Sequence, residues 1–405
     1  MKKSILVITN LYPNIIDKNF GIYNKQQLYQ LKKKYYKIFV IAPIPWIEYF
    51  RKKYFLQNFK KHEEDNNIEI YHPIYYFTPR ILRFLYGLFF FLSIFNLSKR
   101  IIKQNQVKLI YGTWLYPDGF SAYLLSRIYK LPVVLKAHGS DVNYLGKIKS
   151  IRFWLKRYLK KTNKIVTVSN DLKNKIINII KRSDHIVTIY NGIDIKKFKI
   201  MDKVTSRRIL KINEQEKLLL YIGNIRESKG VFEILDFYKK YELDKMGLKV
   251  YFLGDGEDKF LLQNRIKYLN YQDKIFLLGR QKHSLIPVWL NAADFLILLS
   301  KNEGVPNVVL ESMACGVPVL TRNVGGIKEV FDGKKCGIWY ESINRKNIQE
   351  LFFIKKYDRQ LIRNSIKHFS WAKNGQTIFE IFENVYSQPN YNRFAINTIF
   401  KNNKN

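Results

Sequence analysis

Two glutamates with seven residues between them, Glu303 and Glu311, stand in the stretch "SKNEGVPNVVLESMACGVPVLT" and could hold two ends of one extended ligand. Pro306 suits the first turn of a helix and the Gly-Val-Pro sequence beyond it suits the end, so we expect a helix from about 306 to 314. Glu303 would precede this helix and Glu311 would lie on its second turn, roughly 12 Å away. That separation is too long for a shared proton. The helix N-terminus offers free amides to an anion or to sugar hydroxyls.

A second group of polar residues occurs in "GNIRESKG", residues 223–230, directly after a predicted strand. Asn224, Arg226 and Lys229 fall where the next helix is expected to begin. Cations beside a helix N-terminus make a strong binding site for a diphosphate. The glycine after Lys229 lets the backbone come close to a ligand, so we expect this loop to bind an anionic group.

One histidine, His138, follows a predicted buried strand in the sequence "AHGSD". A lone histidine is more often structural than catalytic, but this place at the end of a strand, beside Gly139 and Asp141, favours a functional role. We interpret the other histidines as structural: His62, His72, His185, His283 and His368.

Short apolar runs recur along the chain, and they are continuous rather than alternating, which is typical of strands covered on both faces. Helical segments separate most of them, and this alternation predicts parallel sheets with right-handed crossovers. The predicted strands are residues 4–9, 37–42, 68–71, 108–112, 132–137, 164–169, 186–190, 217–222, 248–253, 274–279, 294–300 and 317–321. Most of the glycine, histidine and charged motifs follow a strand, where ligands bind in open α/β sheets. The sequence therefore predicts an α/β fold of two doubly wound Rossmann-like domains whose ligand-binding edges face each other across a cleft.

The strand series is interrupted by a polar segment between residues 195 and 216. We therefore predict an N-terminal domain at 1–195, a linker at 196–216 and a C-terminal domain at 217–370. An amphipathic helix at 371–388 is expected to pack back on the N-terminal domain. The Asn- and Lys-rich end, 389–405, is expected to be a poorly ordered tail.

The formal net charge of the 405-residue chain is +37, and the excess lies mainly in the first half. Residues 1–200 contain 37 Lys and Arg against 11 Asp and Glu, and the remainder contains 33 against 22. Such a surface can attract anionic lipid, a polyanionic substrate or nucleic acid, although codon bias accounts for part of the total. Two cysteines are too few for a disulfide framework and indicate a reducing compartment. We find no signal-peptide pattern and no stretch of the roughly 18 apolar residues that a membrane-spanning helix needs.

The most apolar segment, "FLYGLFFFLSIFNL" at 84–97, is interpreted for the most part as a core helix of the first domain. The alternative is a helix that dips into a membrane surface while basic flanking residues bind anionic headgroups. With the basic first half, this alternative predicts a peripheral protein that associates with the anionic inner face of the plasma membrane. The flanking residues are Arg80, Arg83, Lys99, Arg100 and Lys103.

Taken in order along most of the chain, these motifs resemble the retaining glycosyltransferases of family 4, which have the GT-B fold. The pair Glu303 and Glu311 matches the E-x7-E motif of that family. The other matching phrases are "ITNLYPN", "WLYPDGFSAYLL", "AHGSD", "YNGIDIKKF", "GNIRESKG", "LGDGED" and the terminal "FSW". The phrases of the first half are similar to the subset that builds bacterial cell-wall and surface polysaccharides, such as teichuronic acid.

The resemblance implies a metal-independent hexosyltransferase with a nucleotide sugar as co-substrate and no further cofactor. It implies that Lys229 neutralises the donor diphosphate, that His138 and Glu303 face the transferred sugar, and that Glu311 binds the ribose hydroxyls. Asn224 stands where the family commonly has arginine, and we expect Arg226 to supply that charge. The implied catalytic residues are His138, Lys229 and Glu303, and the implied donor-binding residues are Gly21, Asn224, Arg226, Gly279, Arg280, Gly304, Val305, Pro306, Asn307 and Glu311.

The expected function is transfer of a sugar from a nucleotide-sugar donor to a glycan or lipid-linked acceptor in the biosynthesis of cell-envelope polysaccharide, at the cytoplasmic face of the membrane. One alternative is a GT-B-fold epimerase that acts on a nucleotide sugar without an acceptor. The other is a basic nucleic-acid-binding protein. The sequence contains no helix-turn-helix, zinc-finger or RNP pattern, so we expect no nucleic-acid partner.

Overall fold

Alternating strands and helices build two sheets in a computed structural model that describes residues 3–18, 20–34, 37–51, 61–78 and 82–387. The chain divides into two units. The first contains the described residues up to Gly192 and those from Trp371 onward, and the second runs from Ile193 to Ser370. The predicted tail, 389–405, and the predicted flanking residue Arg80 lie outside the described residues.

Among the described residues of the first unit, eight strands form one sheet in the order β10-β9-β8-β7-β1-β2-β5-β4, and β3 pairs with β6. All pairs are parallel except β4 with β5. The strands are β1 (Ser4–Ile8), β2 (Lys37–Ile41), β3 (Ile44–Pro45), β4 (His62–Asp65), β5 (Ile68–Tyr71), β6 (Ile74–Tyr75), β7 (Val107–Thr113), β8 (Val133–Ala137), β9 (Lys164–Thr167) and β10 (Ile186–Thr188).

Helices cover this sheet on both faces, which explains why its strands are continuously apolar. Alternate residues of β1 enter two different cores: Leu6 and Ile8 pack in one, and Ile5 and Val7 in the other. The helices of this unit are α1 (Ile22–Lys32), α2 (Trp46–Arg51), α3 (Tyr86–Gln104), α4 (Phe120–Tyr129), α5 (Ser140–Asn143), α6 (Lys149–Leu159), α7 (Asn170–Ile180) and, after the second unit, α14 (Trp371–Tyr386). Helix α14 packs against α1 and puts its apolar side into the second of these cores.

Among the described residues of the second unit, six parallel strands form a sheet in the order β13-β12-β11-β14-β15-β16. They are β11 (Lys217–Ile222), β12 (Leu248–Leu253), β13 (Ile275–Gly279), β14 (Phe295–Leu298), β15 (Val319–Thr321) and β16 (Gly337–Trp339). The helices are α8 (Lys203–Leu210), α9 (Val231–Lys240), α10 (Lys259–Tyr268), α11 (Ile286–Ala292), α12 (Asn307–Ala314) and α13 (Arg359–Ser365). Numbered from β11, this is the order 3-2-1-4-5-6 of a doubly wound nucleotide-binding sheet.

The predicted fold class is confirmed, since both sheets are Rossmann-like and every predicted strand is present within one or two residues. The strands that the sequence did not predict are short or lack an apolar run, such as the exposed edge strand β4, "HEED". In the described part of the chain, no helix has both the length and the apolar content needed to cross a bilayer.

The segment 196–216, which we expected to be a linker, is instead built into the second unit. It forms helix α8, which packs against α11. Arg207 of α8 is buried, donates to the carbonyl of Ala292 at 3.0 Å and pairs with Asp294 at 2.9 Å. The burial of Arg207 could not be predicted from this polar segment, because its partner Asp294 is 87 residues away in the chain.

Candidate active site

The sheet of the second unit has its switch point between β11 and β14, because these neighbouring strands connect onward in opposite directions. In such sheets the ligand crevice opens at the carboxyl ends of the two strands at the switch point. The loop after β11 is "GNIRESKG" and the loop after β14 is "SKNEGVP". The fold therefore brings the motifs that contain Lys229 and Glu303 to one place.

Lys229 and Glu303 meet at this switch point, and the Lys229 Nζ lies 2.6 Å from Glu303 Oε1. The Glu303 side chain is only 11% exposed and that of Lys229 is 34% exposed, so the pair is partly shielded from water. A backbone hydrogen bond of 3.1 Å from Lys301 N–H to the Ser228 carbonyl joins the same two loops. Two of the three predicted catalytic residues are thus in direct contact.

Two glycines with positive φ allow the loops to approach this closely. At Gly230, φ is +77°, and a Cβ atom would lie 2.1 Å from the Leu299 carbonyl oxygen. At Gly325, φ is +55°, and a Cβ atom would lie 2.0 Å from the carbonyl oxygen of Glu303. Gly325 follows β15 and was missed from the sequence, although the "GG" pair of "NVGGIK" was a signal for it. It supports the backbone that carries Glu303.

Helix α12 begins at Asn307, one residue later than expected, because Pro306 adopts an extended conformation as its N-cap. Glu311 lies on this helix and is 4% exposed. Of the other predicted residues here, Gly304, Val305 and Pro306 are buried and Asn307 is half-buried.

Two arginines of α13 hold the C-terminal end of α12. Arg359 donates to the Cys315 carbonyl at 3.0 Å, and Arg363 donates to the carbonyl of Ala314. Cations at a helix C-terminus complement its dipole and satisfy its free carbonyls. Arg359 also donates to Asn291 on α11, so the helix that carries Glu311 is fixed from its far end.

Lys197 and His283 are a further contact that sequence reasoning missed. The Lys197 ammonium lies against His283 Nδ1, and it interacts electrostatically with Glu311. Burial lowers the pKa of Lys197, while Glu311 opposes that shift. Burial and the Lys197 charge lower the pKa of His283 to about 4, so this ring is neutral at pH 7. The signal for Lys197 was the phrase "YNGIDIKKF", which contains it.

The remaining predicted donor residues of the second unit occupy the loops after β11 and β13. The Asn224 carbonyl accepts a hydrogen bond of 2.7 Å from the Tyr221 hydroxyl. Arg226 is 3.3 Å from Glu257 in a pair that is more than half exposed on both sides. Gly279 has φ of +68° with open space around its Cβ position, and its carbonyl accepts from Gly254 N–H at 2.9 Å. Arg280 follows it directly.

In the first unit, His138 follows β8 and lies in a turn held by a buried carboxylate. Asp141, at 0% exposure, accepts from Gly139 N–H at 2.8 Å and from Leu115 N–H at 3.0 Å. The His138 Nε2 atom is buried and has no hydrogen-bond partner among the described residues. Burial, together with the charge of Lys136, holds the pKa of His138 well below its usual range, so its ring is neutral.

The switch point of the first sheet lies between β1 and β7 and contains a residue that sequence reasoning missed. Asp118 follows β7, is 0% exposed and accepts from Asn10 N–H at 2.8 Å. Burial raises the pKa of Asp118 well above its usual range. The phrase "WLYPDG" contained this residue. Gly21 borders the loop after β1: its φ is +63°, and a Cβ atom there would lie 2.2 Å from the Leu11 carbonyl.

The second unit therefore offers two cations, Lys229 and Lys197, around buried acids at the end of a doubly wound sheet. This arrangement suits an anionic leaving group, because fixed charges in a partly dry site stabilise the charge that develops on it. In the described ranges, no cluster of three or more His, Cys, Asp or Glu residues could hold a metal ion.

Two family models match the chain. The model described as "Glycosyltransferase Family 4" matches residues 29–197, and the one described as "Glycosyl transferases group 1" matches residues 202–383. Together they span most of both units. The expected enzyme class, a glycosyltransferase, is confirmed by these matches.

Curated relatives are similar over parts of the chain. The N-acetyl-alpha-D-glucosaminyl L-malate synthase of Bacillus anthracis is 26% identical over 229 residues, which are 56% of this chain and 59% of that protein. The match thus spans less than two thirds of that relative. TuaC of Bacillus subtilis (strain 168), described as a teichuronic acid biosynthesis glycosyltransferase, is 27% identical over 325 residues, 78% of this chain and 79% of that protein.

Solved structures share the fold at low identity. Sucrose-phosphate synthase of Thermosynechococcus elongatus has a TM-score of 0.77 at 15% identity, over 96% of this chain and 100% of that chain. HepE of Anabaena, solved in complex with UDP-glucose, has a TM-score of 0.68 at 16% identity, over 94% and 99%. The two family models and the two Rossmann-like sheets agree with the motifs of the sequence, and the chain belongs to glycosyltransferase family 4, with the GT-B fold.

Proposed function

We propose that this protein transfers a sugar from a nucleotide-sugar donor to a glycan or lipid-linked acceptor, with retention of the anomeric configuration and without a metal ion. The observation that carries the proposal is the contact of Lys229 with Glu303 at the switch point of the second sheet. A cation and a partly shielded acid are held there, where a nucleotide diphosphate and its sugar bind in sheets of this order.

The donor diphosphate takes the place of Glu303 as the partner of Lys229. Its charge grows as the bond to the sugar breaks, and a fixed ammonium group then stabilises the transition state more than the ground state. Arg226 adds a second cation from the same loop. Neither contribution needs a metal ion.

Glu303, released from the ion pair, faces the transferred sugar together with the backbone from Gly304 to Asn307. Glu311 binds the ribose hydroxyls, and the loop at Gly279 and Arg280 borders the base. His138 is neutral, so it can share a hydrogen bond with a sugar hydroxyl without adding charge. Gly21 is a further donor-binding residue in this proposal.

The pathway that we propose is the synthesis of surface polysaccharide or another cell-envelope glycan, at the cytoplasmic face of the plasma membrane. The support is the similarity to TuaC, whose name refers to teichuronic acid biosynthesis. An acceptor of this kind that is linked to lipid would require the enzyme to work beside an anionic membrane surface.

The test is a panel of nucleotide sugars, each measured for thermal stabilisation and for turnover with and without glycan acceptors. A true donor at about 100 times its dissociation constant should stabilise the folded chain by about 2.7 kcal/mol. We expect one donor class to stabilise the protein and to be consumed faster when an acceptor is present. Isomerisation of the nucleotide sugar without any acceptor would support the epimerase instead, and the absence of stabilisation by every donor would contradict both.

A further inference from the structure

The surface of the first unit is cationic over a long stretch of chain. Residues 72–169 contain 17 Lys and Arg but only two acidic residues, Asp118 and Asp141. Both acids are 0% exposed, so no carboxylate from this stretch reaches the surface to neutralise the cations. A field of one sign on this scale attracts an anionic partner.

Helix α3, the most apolar segment of the sequence, lies in this stretch and is apolar on its outer side as well. Its inner side packs in the core with Phe90 and Ile94. On its outer side, Leu88 is 40% exposed and Leu92, one turn further, is 60% exposed. Phe84, just before the helix, is 40% exposed. A row of exposed apolar side chains marks a surface that contacts something less polar than water.

Helix α6 lies beside the start of α3. The ideal Cβ position of Gly87 on α3 is 2.6 Å from the ring of Phe120, and this ring is 5.3 Å between centroids from that of Trp154 on α6. Phe153, the neighbour of Trp154, is 49% exposed. Helix α6 also packs against the turn just before α3 that contains Phe84, so the exposed rings of Phe84 and Phe153 belong to neighbouring elements.

Cations surround this exposed ring. Arg152 and Lys156 on the outer side of α6 are exposed, and the Arg157 guanidinium lies 4.2 Å from the centre of the Phe153 ring. Long basic side chains of this kind keep their charges at the level of lipid headgroups while their stems cover apolar surface. A surface with exposed apolar side chains flanked by cations fits the boundary between lipid headgroups and acyl chains.

We propose that this basic–apolar face, formed by Phe84, Leu88, Leu92, Arg152, Phe153 and Lys156, docks the enzyme on an anionic lipid bilayer. The inference rests on the proposed function, because a lipid-linked acceptor lies in that bilayer. Nucleic acid would bind the cations but would gain nothing from contact with Leu88 and Leu92. The combination of positive charge and exposed apolar side chains therefore favours lipid as the partner.

The second unit provides a matched control surface. Phe260 and Leu261 on α10 are 74% and 57% exposed, so this apolar pair is as accessible as the two leucines of α3 taken together. Two acids, Glu257 and Asp258, lie just before them in the chain, with Lys259 between, whereas no acid lies on α3 or α6. An anionic surface should therefore not bind there.

The experiment is flotation of the full chain with phosphatidylcholine vesicles, with and without phosphatidylglycerol, across a salt series. We expect binding only with phosphatidylglycerol, weakening as salt is added. The double substitution Leu88→Glu, Leu92→Glu should reduce binding roughly ten-fold or more. Arg152→Glu with Lys156→Glu should reduce it roughly five-fold for each cation that is lost. Phe260→Glu with Leu261→Glu should leave it unchanged.

Turnover of the nucleotide sugar with a water-soluble acceptor, measured on the same preparations, separates the two proposals. We expect all the variants to keep it, which also shows that they are folded. Failure of the unmodified protein to bind phosphatidylglycerol vesicles at low salt would overturn the docking face alone. The docking face would also be overturned if the α10 variant lost as much vesicle binding as the α3 variant. The same holds if the protein bound nucleic acid tightly and the leucine substitutions left vesicle binding unchanged. Intact vesicle binding without turnover of any nucleotide sugar would overturn the proposed function alone.

Discussion

The Lys229 and Glu303 side chains neutralise each other in the free protein, and the donor must open this pair in order to bind. Because both groups are partly exposed, the pair should contribute no more than about 1 kcal/mol to folding. Lys229→Met and Glu303→Gln should therefore leave the free energy of unfolding nearly unchanged. The loss of a fixed charge at the developing diphosphate should lower the turnover of Lys229→Met roughly 100-fold or more, measured as kcat/KM for the best donor.

The matched control for that prediction is Lys301→Met in the neighbouring loop. The Lys301 ammonium is in a similar ion pair, 2.8 Å from Glu227, and its side chain is 43% exposed. It faces acids on the outside of the same loops and should lose only a few-fold in turnover. Similar losses for Lys229→Met and Lys301→Met would mean that any cation in this region serves, and that Lys229 has no special role.

Lys136 on β8 is a second charged residue with a measurable consequence, since it is 0% exposed. Its hydrogen bonds to described residues are long, 3.4 Å to Gln27 and 3.3 Å to Asn191. Burial lowers the pKa of Lys136 to about 7. In the unfolded chain the pKa returns to about 10.5, so between these values the unfolded state binds more protons and stability rises with pH. Lys136→Met should therefore be more stable than the parent at pH 7, by a few kcal/mol at roughly 1.4 kcal/mol per pKa unit.

Urea titrations at several pH values from 6.5 to about 10 would test this prediction. The advantage of Lys136→Met should be largest near neutral pH and should shrink as pH approaches the ordinary lysine pKa. Lys160→Met, at an exposed position in the same unit, should change neither the stability nor its slope with pH. Parallel profiles for the parent and Lys136→Met would show that Lys136 does not titrate in this window.

At the scale of elements, the loop after β15 positions Glu303 through Gly325. A methyl group at this position would stand 2.0 Å from the Glu303 carbonyl oxygen in addition to the strain of its positive φ. Gly247 makes a clean comparison, because its φ is +72° but no atom lies within 4 Å of its Cβ position. Gly247→Ala should cost about 1 kcal/mol through backbone strain alone.

Gly325→Ala should lower the free energy of unfolding by more than about 1 kcal/mol in denaturant titrations. It should also lower kcat/KM at least roughly ten-fold, because the displaced Glu303 no longer contacts the sugar in the correct geometry. Gly247→Ala should retain full turnover. If the two variants lost equal stability and both kept their activity, the close approach at Gly325 would not be what holds Glu303.

The elements show which features a sequence can predict. Buried parallel strands were predictable because both of their faces are apolar, as in β11. The edge strand β4 and the helix α8 were not. Strand β4 has an exposed, charged sequence, and the buried Arg207 of α8 depends on a distant acid, Asp294. At the site, Lys229 and Glu303 were predictable as single residues. Their mutual contact and the supports Gly325 and Lys197 depend on the packing of loops, which spacing along the chain does not encode.

At the scale of the whole molecule, the chain leaves the first unit at Gly192, builds the second, and returns at Trp371 to complete the first with α14. The two ends of the second unit are adjacent, since Ile193 N–H donates to the Phe369 carbonyl at 2.8 Å. The helix is needed to close the core that contains Ile5 and Val7, because Phe382 is 1% exposed and its ring centroid lies 5.2 Å from that of Tyr111 on β7. The last residues described thus stabilise the sheet of the first unit.

Phe382→Ala should therefore destabilise the first unit by about 3–5 kcal/mol, the usual cost of removing a buried aromatic ring. Amide hydrogen exchange, read separately for β1 and β7 and for β11 and β14, should show faster exchange in the first pair and unchanged exchange in the second. Phe260→Ala on the exposed side of α10 should change the free energy of opening, derived from exchange, by no more than about 0.5 kcal/mol in either pair of strands. Equal acceleration in both sheets would mean that the units unfold as one cooperative block, and that α14 stabilises the whole chain rather than the sheet on which it packs.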